Sequence, residues 1–191
     1  MRIVAGEQRG RPIRTPPGDA TRPTSDRTRQ AVFNILEHAP WSAGLEGLRI
    51  LDVFAGSGAM GLEALSRGAA QCLFIDKGEP ALGVVRANVA AFGLGPRARL
   101  LRHDATRLGR RLDTEAPFDI ALLDPPYGKG LGELALGALR GGGWLAEDAL
   151  AVLERGAGEA DLQIPGFEQL DERRYGAAKV LFLKAARDLT G

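Results

Sequence analysis

Two clusters of residues in this chain have types and spacings that could do chemistry. Asp124-Pro125-Pro126-Tyr127 follows the apolar run Phe118-Asp119-Ile120-Ala121-Leu122-Leu123, which reads as a buried parallel strand. Prolines fix φ and have no N–H, so the backbone of this stretch presents carbonyl acceptors in a stiff turn. Asp124 adds a carboxylate acceptor, and Tyr127 offers a π-face. Hydrogen-bond acceptors beside a stacking surface suit a flat nucleobase and the planar amino group attached to it. Taken alone, the tetrapeptide equally fits a turn that only ends a strand, with Tyr127 packed on the surface.

The second cluster is Asp52-Val53-Phe54-Ala55-Gly56-Ser57-Gly58, again at the end of an apolar run, with Gly61 following. Glycines here let the backbone approach a ligand closely. Two further acids close later strands: Asp76, beside Lys77, is placed to accept from two ribose hydroxyls, and Asp104, beside Ala105, to meet an adenine edge. Gly56-x-Gly58-x-x-Gly61 with Asp76 also matches a dinucleotide fingerprint, so a nicotinamide-dependent oxidoreductase competes. Asp52 argues against it. A carboxylate is awkward beside a pyrophosphate and welcome beside an ammonium and a sulfonium, which S-adenosylmethionine carries. The oxidoreductase also leaves Asp124–Tyr127 without a task, so agreement across all the sites favours methyl transfer.

The elements that must position these residues alternate regularly. Strands are expected at Leu48–Val53, Gln71–Ile75, Arg97–Arg102, Phe118–Leu123 and Ala149–Leu153, and closing antiparallel strands at Phe167–Tyr175 and Lys179–Lys184. Helices are expected at Gly58–Arg67, from about Pro80 to Phe92, near Thr106–Leu112 and over Leu131–Leu139. This pattern implies an α/β, Rossmann-like, doubly wound, mostly parallel seven-stranded sheet with an antiparallel C-terminal strand. In such sheets ligands bind beyond the carboxyl ends of the strands, where the three acids and the tetrapeptide fall. Ahead of the sheet stands a small extension, residues 1–40. It is read as a hairpin of Arg2–Ala5 with Pro12–Arg14, a loop, and a helix capped by Ser25 or Thr24 that runs to about His38. Residues 41–191 are then the catalytic domain, and the two form one compact unit.

Composition narrows the class. Hydrophobic content of 45% and charged content of 26% are those of an ordinary globular protein. Cys72 is the one cysteine and can form no internal disulfide, which fits a reducing cytoplasmic setting. His38 and His103 are too scattered to suggest a metal site, and no apolar run is long enough to span a bilayer. Residues 1–30 hold seven arginines, no lysine and three acids, a net +4, which leaves −3 for the remainder of a chain of net charge +1. Guanidinium groups pair bidentately with phosphate, and the clustering hints at nucleic acid. The composition also fits a solvated extension in an arginine-preferring chain, since only Lys77, Lys129, Lys179 and Lys184 are lysines.

Together, Asp52–Gly58 and Asp124–Tyr127 resemble the two signatures of class I amino-methyltransferases. More narrowly, Met1–Gly6 with Arg9-Gly10-Arg11, Arg22–Arg27 with Phe33-Asn34, Gly61–Gly68 and Gly143-Trp144-Leu145 resemble the RsmD-type bacterial methyltransferases, over nearly the whole chain. The resemblance implies S-adenosylmethionine as cofactor, no metal, and methylation of the exocyclic N2 of a guanine in 16S ribosomal RNA. It implies a substrate within an assembled or assembling small subunit, and a monomeric enzyme. The expected catalytic residues are Asp124, Pro125, Pro126 and Tyr127. Cofactor contacts are expected from Asp52, Phe54, Ala55, Gly56, Ser57, Gly58, Asp76, Lys77, Asp104 and Ala105, and RNA contacts from Arg9, Arg11, Arg22 and Arg27. An enzyme methylating another amino group, such as adenine N6 in DNA or RNA, would share every catalytic residue. A non-catalytic RNA-binding module is disfavoured by the completeness of both motifs. Residues Gly156–Gly166 match nothing distinctive.

Overall fold

A computed structural model describes residues 1–16, 25–161 and 163–186. The first helix, α1 (Asp26–His38), begins where Ser25 Oγ accepts from Thr28 N at 3.1 Å, and it turns Arg29, Val32, Phe33 and Leu36 inward at helical spacing. It ends at Ala39, whose extended backbone suits the residue before Pro40. The chain then alternates: β1 (Arg49–Val53), α2 (Ala59–Ser66), β2 (Gln71–Asp76), α3 (Glu79–Phe92), β3 (Ala98–Arg102), β4 (Phe118–Leu123), α4 (Leu131–Gly141) and β5 (Leu145–Gly156). Two long strands close it, β6 (Phe167–Tyr175) and β7 (Ala178–Ala185).

The sheet has seven strands in the order β3-β2-β1-β4-β5-β7-β6. Pairing is parallel from β3 through β5, and β7 runs antiparallel between β5 and β6. The reversal of strand order lies between β1 and β4, whose carboxyl ends are in register, with Val53 opposite both Ile75 and Leu123. Side chains alternate between two apolar layers. Ile50, Ile120 and Leu122 join one with Val32, Phe33 and Leu62, while Leu51, Val53, Ala121 and Leu123 join the other with Leu136 and Leu139. Among the described residues, no helix is long and apolar enough to cross a membrane.

Three expectations need correction. The N-terminal hairpin is a single antiparallel bridge, Arg2 to Pro12, not two strands. Ile3 N donates to Arg11 O and Ile13 N to Met1 O (both 3.0 Å) around that bridge, and side chains of α2 fasten the segment: Glu63 accepts from Val4 N (2.8 Å) and Ala5 N (3.0 Å), and Ser66 Oγ accepts from Gln8 N (2.9 Å). The helix expected near Thr106–Leu112 shrinks to a short 3₁₀ turn, Ala105–Arg107. Tertiary bonds claim the rest of that segment: Trp144 Nε1 donates to Gly109 O at 2.8 Å and Arg111 N to Gly142 O at 2.9 Å, leaving Leu112 exposed. The strand expected over Ala149–Leu153 runs from Leu145 to Gly156, because Glu154 and Arg155 are buried within it in spite of their charge.

Glycine is required where backbones meet. A Cβ on Gly6, whose φ is +79°, would lie 1.8 Å from the Ser66 carbonyl oxygen. A Cβ on Gly61 would lie 2.4 Å from Phe74 Cε1 and 2.6 Å from Cys72 Sγ, so the last glycine of the G-x-G-x-x-G pattern lets α2 settle on β2.

Candidate active site

The register just described brings four strand ends to one edge, and a cavity of about 820 Å³ opens there. After β1 it is lined by Asp52, Phe54, Ala55, Gly56 and Ser57, after β2 by Asp76 and Lys77, and after β3 by Asp104 and Ala105. Asp124, Pro125, Pro126 and Tyr127 complete it from the end of β4. Gly58 stands behind the wall as the N-cap of α2, in the left-handed region at φ 78°. Thus every residue singled out for chemistry converges on one cavity or directly supports it.

The turn after β1 is held from both sides. Phe54 adopts φ 61°, uncommon outside glycine, and Ala55 N donates to Ile75 O at 3.1 Å. Asp76 Oδ2 accepts from Gly56 N at 3.0 Å, and Asp76 Oδ1 accepts from Gly78 N at 2.8 Å. Its carboxylate is therefore oriented by two amides, with a second lone pair on each oxygen for a ligand. Asp104 is organised differently. Its Oδ1 accepts from Thr106 N (3.0 Å) and from Thr106 Oγ1 (2.7 Å). These two bonds hold the Asp104 carboxyl below its usual range.

Asp52 is the electrostatic outlier. It lies on the same face of β1 as Ile50, so its side chain meets α2, where Oδ2 accepts from Gly61 N at 2.8 Å. Burial pushes its carboxyl up to about 8; the Gly61 N–H opposes this, and the charges of Asp124 and Asp76 add to it. Asp52 therefore holds its proton far more tightly than an exposed carboxyl.

In the loop after β4 Pro125 is buried, whereas Pro126 and Tyr127 are exposed. Asp124 N is tied to Val53 O at 3.5 Å, and the Tyr127 hydroxyl donates to Glu154 Oε1 on β5. Together these contacts tie the loop to β1 and β5, with Tyr127 among the residues that line the cavity.

The arginines separate into two kinds. Arg9 and Arg27 are exposed, and Arg22 lies outside the described residues. Arg11 is also exposed but has partners within the protein: Nη2 donates to Ala91 O at 2.5 Å, Nη1 to Gln8 Oε1 at 2.6 Å, and the guanidinium lies 4.6 Å above the Phe92 ring. Arg29 is fully buried between Asp26 (2.8 Å) and Glu63 (3.5 Å).

The sequence reading missed several residues that build the site. Met1, Thr15, Met60, Leu131 and Ala177 also line the cavity. Asn88, buried on α3, accepts from Arg14 N at 3.0 Å and donates to Arg14 O (3.0 Å) and Ser57 O (3.1 Å). A polar residue facing inward at helical spacing was the only available signal for it.

A family model described as Conserved hypothetical protein 95 matches residues 1–184. Ribosomal RNA small subunit methyltransferase D of Escherichia coli (strain K12) is 38% identical over 154 residues, covering 81% of this chain and 74% of that protein. The Haemophilus influenzae protein of the same name is 31% identical over 155 residues, covering 81% and 78%. Among solved structures, yhhF from Escherichia coli gives a TM-score of 0.83 at 32% identity, covering 98% of this chain and 99% of the other. With a family match from residue 1 to 184 and relatives above 30% identity, the chain belongs to the RsmD-type family of methyltransferases.

Proposed function

We propose that this protein transfers a methyl group from S-adenosylmethionine to the exocyclic N2 of a guanine in 16S ribosomal RNA of the small subunit. The observation that carries this reading is the convergence of Asp52, Asp76 and Asp104 with Asp124–Tyr127 on one cavity. Residues for a polar, cationic nucleoside and residues for a planar amine share one edge of one sheet.

The lining fits S-adenosylmethionine. Asp76 presents two amide-oriented oxygens to a ribose diol, Phe54, Ala55, Ile75 and Ala105 form apolar walls, and Asp52 holds a carboxyl that a neighbouring cation would ionise. When bound, this cofactor supplies an electrophilic methyl group. The protein's residues prepare the acceptor. A guanine amino nitrogen is a poor nucleophile because its lone pair is delocalised into the ring. Asp124 and the Pro125 carbonyl accept its two N–H bonds and favour a more pyramidal, more reactive nitrogen. The same acceptors stabilise the positive charge that develops on that nitrogen. Tyr127 stacks on a base splayed out of the RNA, an extrusion that costs a few kcal/mol.

The choice of guanine is supported by the resemblance alone, and that of small-subunit RNA by the resemblance and by the name of the two bacterial relatives. The test is incubation with labelled S-adenosylmethionine and small subunits from a strain lacking this activity, followed by nucleotide mapping. Label on guanine N2 is the expected result. Label on adenine N6, or none in RNA, would overturn the reading.

A further inference from the structure

The segment Gly156–Gly166 carries no recognisable motif, yet one of its side chains reaches the end of the acceptor loop. Glu159 Oε1 accepts from Gly128 N at 3.1 Å, the first amide after Tyr127, and from Gly156 N at 2.8 Å, the last residue of β5. One carboxylate oxygen thereby joins the loop that follows Tyr127 to the strand behind it. The Tyr127 ring lies over the same junction: a Cβ on Gly156 would be 3.4 Å from Tyr127 Cδ2 and 3.1 Å from Glu159 Oε1.

Glu159 is itself held by buried cations. Arg155 Nη2 lies 3.3 Å from Glu159 Oε2, and Arg155 Nε lies 2.9 Å from Glu133 Oε1 in the first turn of α4, a charge contact without hydrogen-bond alignment. Lys179, 1% exposed, donates from Nζ to Glu159 O at 3.1 Å and to Asp161 Oδ1 at 2.5 Å. Burial alone would raise the Glu159 carboxyl. The amides of Gly156 and Gly128, with the charges of Arg155 and Lys179, outweigh it and hold the group ionised below its usual range. A surface turn needs none of this. A glutamate that only capped its own turn would have no reason to reach Gly128, thirty-one residues earlier in the chain.

We propose that Glu159 is a positioning residue for the methyl acceptor: by fixing the Gly128 amide it sets where the Asp124–Tyr127 loop ends, and so where the Tyr127 ring presents its face. This rests on the reading of that loop as the acceptor site. The partner contact, Tyr127 hydroxyl to Glu154, holds the other end of the same ring.

The test compares wild type, Glu159→Ala and Glu159→Gln in methyl transfer to undermethylated small subunits, with calorimetric binding of S-adenosylmethionine and amide exchange at Gly128. For Glu159→Ala, kcat is expected to fall ten- to a hundredfold, on the order of what a misplaced reacting group costs, with cofactor affinity unchanged and the Gly128 amide exposed. Glu159→Gln keeps an acceptor oxygen and should retain both amide protection and most of kcat. A folded Glu159→Ala protein with wild-type kcat overturns the proposal. So does a Gln variant whose Gly128 amide stays protected while kcat collapses. Should the Ala variant not fold, the Gln variant decides: protection and kcat must be kept or lost together. Wild-type enzyme that methylates no ribosomal RNA would instead overturn the functional reading, which the paired controls keep separate.

Discussion

Asp52 makes the stability of the fold depend on pH. Its carboxyl titrates at about 8 in the fold, against an ordinary 3.8, so in that window the folded protein binds a proton that the unfolded chain does not. This group therefore makes stability fall as the pH rises from about 3.8 toward about 8, with no further loss above it. Asp52→Asn should flatten that part of the stability profile, measured by denaturant unfolding at several pH values. A cation beside Asp52 should expel its proton. Binding of S-adenosylmethionine at pH 7 should therefore release protons, read as a dependence of the calorimetric enthalpy on buffer, and Asp52→Asn should abolish the release. Asp124 and Asp76 should separate chemistry from binding. Asp124→Ala should reduce kcat by about 10²–10³, the usual effect of removing one preorganised group from a charge-stabilising site, with cofactor affinity largely kept. Asp76→Ala removes a charged acceptor and strands the Gly56 and Gly78 amides, so affinity should weaken about 10- to 100-fold before kcat changes. Radiolabel transfer and calorimetry on both variants check the pair, and equal effects on both quantities would refute the division.

At the scale of elements, the N-terminal segment is fastened by side chains. Glu63, fully buried on α2, accepts from the amides of Val4 and Ala5 and pairs with Arg67 at 2.8 Å and Arg29 at 3.5 Å. Removing it leaves two amides without their acceptor and takes from Arg29 and Arg67 one of the two carboxylates each is paired with. Glu63→Ala should cost about 3–5 kcal/mol, visible as a large drop in Tm. The arginines of this segment should behave oppositely to one another. Arg9→Ala should leave Tm unchanged and reduce the salt slope of RNA binding by about 1, as expected for one lost phosphate contact. Arg11→Ala should lower Tm with little change in the slope, because its guanidinium is spent on Ala91 O and Phe92. Filter binding across a salt series, with thermal melts alongside, distinguishes them.

For the molecule as a whole, the sequence revealed what is local or periodic. Asp52, Asp76 and Asp124 were legible because each closes an apolar run, and strand ends of a parallel sheet share one edge. Ser25 was legible as a cap because capping is decided within one helical turn. Glu63, Asn88 and Glu159 were not, since their partners lie 59, 74 and 31 residues away and meet them only through tertiary packing. The intramolecular partners of Arg11 were hidden for the same reason: its charge was visible, but the Ala91 carbonyl and Phe92 ring beside it were not. The buried Glu154-Arg155 pair hid the end of β5, because charge in a strand reads as solvent exposure.

The place of β7, between β5 and β6, has a consequence for how the chain is made. Until β7 has been synthesised, β5 offers twelve residues of strand with one edge unpaired, and β6 has no neighbour to lie against. Such an edge invites pairing with other nascent chains. Charges oppose such pairing, and β5 carries the acids Glu147 and Asp148 near its start and Glu154 with Arg155 near its end. Charge at both ends of β5 would thus oppose mispairing during the interval before the sheet is complete.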